Sequence, residues 1–88
     1  MTLDNVLSGV GKTIFIEHYY DFKNKSREDC IATFAEDFSD KSKRNRTSHA
    51  QRIFREGKEK EALRLILSSD KVDVVTQDKA KDILAREM

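Results

Sequence analysis

The sequence predicts an all-α domain, a compact bundle of four to five short helices. Three observations carry this reading. Proline is absent and only three glycines occur among 88 residues, which removes the usual punctuation of hairpins and tight β-turns. Apolar side chains recur at i, i+3, i+4 and i+7 through the middle of the chain. Ser26, Ser39 and Asp73 stand just before such runs, where a side-chain oxygen can accept an orphan backbone N–H. The competing reading is α+β. Thr13-Ile14-Phe15-Ile16 is rich in β-branched and aromatic residues and could form a small two-stranded pairing with Lys71 to Thr76.

Taken in order, Asp4 can cap a first helix, but Gly9 and Gly11 weaken it, so regular helix is expected from about Lys12 to Phe22. Phe15, Tyr19 and Phe22 share one face there, with Ile14 and His18 on its shoulder. Ser26-Arg27-Glu28-Asp29 resembles a capping box with an acidic first turn. Ile31, Phe34, Ala35 and Phe38 follow at helical spacing, so a second helix is expected to run to Phe38. Ser39-Asp40 ends it and caps a third, from about Lys41 to Glu56, which Gly57 stops. The stripe Ala50, Ile53 and Phe54 covers only the C-terminal half of that helix. Its front half is therefore expected to project into solvent or against a partner. A fourth helix spans about Lys58 to Ser68, burying Ala62, Leu63, Ile66 and Leu67. Asp73 caps a fifth with Ala80, Ile83 and Leu84 on its edge. Phe34, Phe38, Ile53, Phe54, Leu63, Ile66 and Leu67 are the expected core.

The length admits one domain, residues 1–88, and one core. Charged and hydrophobic residues each make up 38% of the chain, and mean hydropathy is −0.70. With five Phe and two Tyr, this is a folded protein with a thin core and not a disordered one. Cys30 is alone, so it can form no intrachain disulfide, and no metal-ligand spacing surrounds it. No signal-like start or membrane-length apolar run appears, and a cytoplasmic location is expected.

Chemistry is sparse. Ser8-Gly9-Val10-Gly11-Lys12-Thr13 resembles the end of a phosphate-binding loop, but Val6 stands where the first glycine belongs and no strand precedes it. His18 and His49 are the only residues that ordinarily titrate near neutrality. Neither has a Ser, Cys or Asp arrangement around it that would support nucleophilic or acid–base catalysis. No enzyme activity and no cofactor are expected.

The charge pattern is more informative. Lys41 to Arg55 contains six basic residues and no acidic one, whereas Ser26 to Asp40 holds five acidic residues and one basic. On a helix, Lys41, Arg44, Asn45, Ser48, Gln51, Arg52 and Arg55 lie opposite the apolar stripe, and Lys43 and Arg46 occupy its continuation. Phosphate attraction needs cations on one face, and base-edge reading needs Arg, Asn, Gln or Ser beside them. The candidate nucleic-acid contacts are therefore Lys41, Lys43, Arg44, Asn45, Arg46, Ser48, Gln51, Arg52 and Arg55. A solvated charge face is the competing explanation of the same stripe.

Ala35-Glu36-Asp37-Phe38, Arg44-Asn45-Arg46 and Ala50-Gln51-Arg52-Ile53-Phe54-Arg55-Glu56 together resemble helix-turn-helix DNA-binding domains of the sigma-factor region 4 and response-regulator type. Ser39 stands where the turn glycine would be, and Lys43 and Thr47 replace apolar anchors. The resemblance implies that the second helix supports and the third enters the major groove, with Arg44, Asn45, Ser48, Gln51 and Arg52 as contacts. The function expected is regulatory DNA binding with duplex DNA as partner. The alternative is a protein-interaction adaptor whose basic helix docks on an acidic surface. No membrane partner is expected, and the sequence leaves oligomeric state open.

Overall fold

Four side chains start four of the helices by the same device. The oxygens of Thr2, Ser26, Ser39 and Asp73 accept the backbone N–H three residues on, from Asn5, Asp29, Ser42 and Thr76, at 2.9–3.2 Å. The resulting elements, in a computed structural model that describes residues 2–87, are α1 (Leu3–Val10), α2 (Lys12–Glu17), α3 (Tyr19–Asn24), α4 (Arg27–Thr33), α5 (Asp40–Arg55), α6 (Glu59–Leu67) and α7 (Val74–Glu87). The domain is all-α. Thr13 to Ile16 lie in α2 and Val74 to Thr76 in α7, so the strand pairing does not form among the described residues.

The helices number seven among the described residues, against the four or five expected, for two local reasons. The Lys12–Phe22 helix is interrupted at His18, whose φ of −113° and ψ of 21° leave the helical region. The backbone bonds from His18 N–H to Ile14 and from Phe22 N–H to His18 bridge the break at 3.1 and 2.9 Å. The weak start is in fact a complete helix. Asp4 lies in the first turn of α1 and Thr2 supplies the cap, so the glycine penalty falls at its end. There Gly11 adopts φ 92° and turns the chain into α2. A Cβ at Gly11 would also stand 2.9 Å from a guanidinium nitrogen of Arg46.

The second predicted helix stops early. α4 ends at Thr33, and Phe34 is extended at φ −65°, ψ 120°. Tertiary contacts compete with helix propagation here. Phe34 turns in to lie 4.7 Å from the His18 ring and 6.1 Å from Phe22, and Glu36 accepts from His18 Nε2 at 3.1 Å. Residues 34–39 therefore form a connector packed by its own side chains. At the far end of α5 the expectation holds: Gly57 sits at φ 70°, and its N–H and that of Lys58 donate to Phe54 and Ile53 at 3.0 and 2.9 Å, a Schellman closure.

α5 is the element around which the others are arranged, with α1, α3, α4 and α6 packed against it. α1 contributes Val6, Leu7 and Val10, all buried, opposite buried Thr47, Ala50 and Ile53 of α5. The front half of α5 thus does not project from the core as expected; it has its partner within the chain. Arg46 completes that contact by donating to the Val10 carbonyl at 2.6 Å, which satisfies one of the orphan carbonyls at the end of α1. Its guanidinium lies 4.1 Å from the centre of the Phe38 ring.

The aromatic face of α2 and α3 fills the middle. Phe15 and Tyr19 meet Phe54 at 5.7 and 4.9 Å between ring centres. Of the expected core, Phe34, Ile53, Leu63 and Ile66 are buried, while Phe38, Phe54 and Leu67 are half-buried at its margin. α7 closes the bundle on α2 and α6. It is tied to α3 by Glu87, which accepts from the Tyr19 hydroxyl at 3.0 Å and from Lys23.

The Lys23 ammonium, together with the Tyr19 hydroxyl, holds the Glu87 carboxyl below its ordinary value of 4.5, against the opposing effect of burial. A carboxyl lowered by folding adds stability that is present above its unfolded value and is lost as pH falls through the folded one. Unfolding free energy should therefore decline as pH drops below about 4.5. Urea titrations across that range should show a shallower decline in Glu87→Gln, whose amide cannot ionise. An identical decline in the two proteins would remove Glu87 from the account.

Candidate nucleic-acid interface

The basic segment forms one continuous helix of 16 residues, with its apolar stripe set by Ala50 and Ile53. A period of 3.6 then places Lys41, Arg44, Asn45, Ser48, Arg52 and Arg55 in register on the opposite side. Lys41, Arg44, Asn45, Ser48 and Arg55 are exposed and Arg52 is half-buried.

The nine candidates divide by what they touch. Lys41, Asn45, Ser48 and Arg55 make no side-chain hydrogen bond or ion pair with any described residue. Two arginines carry counter-charges: Arg44 meets Glu28 of α4 at 3.1 Å and Arg52 meets Glu56 at 2.9 Å, all four side chains being at least 40% exposed. Lys43, half-buried on the continuation of the apolar stripe, makes no side-chain hydrogen bond or ion pair with a described residue either.

The remaining two are turned toward the protein. Arg46 is held by the Val10 carbonyl, the Phe38 ring and Ser42, whose hydroxyl accepts from its Nε at 3.1 Å. The Gln51 amide donates to the Lys25 carbonyl at 3.0 Å and to Cys30 Sγ at 3.6 Å, fixing α5 to the α3–α4 turn.

Beside the front of this face lies an open polar depression of about 290 Å³, lined by Gly9, Ser39, Lys41, Ser42, Asn45 and Arg46. Gly9, Ser39 and Ser42 are lining residues absent from the nine sequence candidates; Gly9 comes to the depression only through the docking of α1 on α5, a tertiary event, whereas Ser39 and Ser42 belong to the start of α5. The two carboxylates on the face differ in this respect. Glu56 stands four residues after Arg52, a spacing that favours a helical ion pair, whereas Glu28 reaches Arg44 only through the packing of α4 on α5.

The other residues considered for chemistry are occupied structurally. His18 lies between two carboxylates, with Nε2 3.1 Å from Glu36 and Nδ1 3.6 Å from Asp21. Burial pushes the Cys30 thiol up from its ordinary value, and its Sγ donates to the Asp21 carbonyl at 3.1 Å. Lys12 bonds Ser69 at 3.3 Å, and Ser8 and Gly9 are helical. His49 is half-buried, against Gly9. No helix among the described residues is long and apolar enough to cross a membrane.

The chain matches no family model, no curated protein and no solved structure.

Two amides of one helix should thus behave differently. Gln51→Ala should cost about 1 kcal/mol in urea denaturation, the usual net value of an intramolecular hydrogen bond. Asn45→Ala, one exposed side chain away from any partner, should change stability by less than about 0.5 kcal/mol. Equal effects of the two substitutions would place Gln51 on the outer face with Asn45.

Proposed function

We propose that this domain binds duplex nucleic acid, DNA in the first instance, through the outer face of α5, in a regulatory and non-catalytic role. The observation that carries the reading is the row Lys41, Asn45, Ser48 and Arg55, in register, pointing away from the core and free of partners among the described residues. Helix stability does not account for the whole of it. Cations at a helix C-terminus complement the dipole, which explains Arg52 and Arg55, but Lys41 sits in the first turn, where the dipole favours anions.

The row combines cations able to release counterions from phosphates with side chains able to reach base edges. The exposed row contains no aromatic residue on which bases could stack, so the chemistry favours a duplex over a single strand. Under this reading α5 would serve as the recognition helix with α4 beside it. Ala35 to Phe38, which carry part of the helix-turn-helix resemblance, lie in the 34–39 connector and not in α4, which makes the link longer than the usual turn of about 3–4 residues. Arg44 and Arg52 supply a rival reading, since each already holds a carboxylate, which is how an acidic protein surface would be held.

Salt dependence of affinity for a mixed-sequence duplex, measured by fluorescence anisotropy from about 50 to 200 mM salt, separates the two. DNA binding predicts a steep loss across the series, and inactivity of Arg44→Glu/Arg52→Glu with an unchanged circular dichroism spectrum. Lys41→Ala/Arg55→Ala, which breaks no hydrogen bond or ion pair described above, should flatten the log–log slope by roughly 1.8, about 0.9 for each phosphate left without its cation. Absence of binding at the lowest salt would refute the DNA reading and leave the acidic protein partner.

A further inference from the structure

The outer face of α5 is not uniformly available. Lys41 and Arg55, near its two ends, carry no counter-charge among the described residues. The two arginines between them are each engaged by an exposed carboxylate. Glu28 reaches from the first turn of α4 to Arg44 at 3.1 Å and is 69% exposed. Glu56 follows α5, accepts from Arg52 at 2.9 Å and has Lys58 at 3.9 Å. Neither carboxylate caps its own helix, since Ser26 caps α4 and the Gly57 closure ends α5. Exposed pairs of this kind contribute little to stability, so a role in holding the fold does not explain them. Their effect falls on the face itself, because each carboxylate offsets its arginine's charge and takes up one guanidinium nitrogen, so an approaching phosphate competes with it for the cation.

We propose that Glu28 and Glu56 are intramolecular competitors for Arg44 and Arg52, setting the affinity of the α5 face by occupying its two central arginines until a phosphate replaces them. This rests on the nucleic-acid reading of the face. It gives that reading a selectivity: an isolated phosphate engages the ends of the row weakly, and only a ligand presenting several phosphates in register recovers the exchange at both arginines. Asp40, exposed in the first turn of α5, adds negative charge near Lys41 but holds no cation of the row.

The test is the variant Glu28→Gln/Glu56→Gln, with Asp78→Asn/Asp82→Asn as a control that makes the same change of net charge on α7, which packs on α2 and α6. Binding to a mixed-sequence duplex is followed from about 50 to 200 mM salt. Without the carboxylates no exchange precedes contact of Arg44 and Arg52 with phosphates, so the variant should bind several-fold more tightly than the native protein throughout the range, with a similar slope because the same arginines meet phosphates in both complexes. The control should stay close to the native affinity. Native affinity in Glu28→Gln/Glu56→Gln, or an equal change in the control, would overturn the competitor role while leaving the binding face intact. Failure of every protein to bind at low salt would overturn the nucleic-acid reading itself.

Discussion

The interaction on which this structure depends is the burial of one side of α5 by the first third of the chain. α5 alone is an unpromising helix, with a short apolar stripe and cations along its length. It becomes the centre of the bundle because α1 seals Thr47, Ala50 and Ile53 behind Val6, Leu7 and Val10, and because Phe15 and Tyr19 close on Phe54. Arg46 sits at the seam. Its bond to the Val10 carbonyl joins the end of α1 to α5 at the point where Gly11 lets the chain turn back. With that side committed to the core, the opposite side is left to water, and the helical period decides which residues occupy it.

The same constraint explains why the outer row is short of the full set of basic residues. A helix flanked by α1 on one side and by α3 and α4 on the other has room for one exposed strip, and residues on its flanks are drawn into contacts with those neighbours. Arg46 goes to α1 and Gln51 to the α3–α4 turn. Glu28 is brought to Arg44 by the docking of α4, which places acidic charge at the edge of the basic strip. The fold therefore sets both the cations that face solvent and the carboxylates that contest them.

Much of this was legible in the residues. Capping serines at 26 and 39 and the aspartate at 73 mark helix starts because their hydrogen bonds are local, and Gly57 marks a helix end for the same reason. The outer row of α5 follows from period alone. What sequence patterns do not reveal is what depends on distant partners. The glycines that weaken α1 by propensity lie at its exit, where Gly11 takes a left-handed conformation. Phe34 and Phe38 carry helical spacing, but His18, Phe22 and Arg46, remote in sequence, pull them into a packed connector. Helical period already puts Arg46 on the continuation of the apolar stripe, but it groups Gln51 with Arg44 and Asn45, and only the position of the α3–α4 turn separates Gln51 from them.

The central claim is that α5 has two sides with separate duties, an inner one that holds the fold and an outer one that meets a charged ligand. Two-dimensional NMR of the isotopically labelled chain titrated with a short mixed-sequence duplex at low salt tests this most directly, because it reads both sides of one helix at once. The account predicts saturable shifts at the side chains of Asn45 and Arg52 and at the amides of Lys41, Ser48 and Arg55, with the Gln51 side-chain amide and the Arg46 Nε signal largely unmoved. Shifts centred on α7 or on the α1–α6 surface, or equal shifts at Gln51 and Asn45, would contradict it.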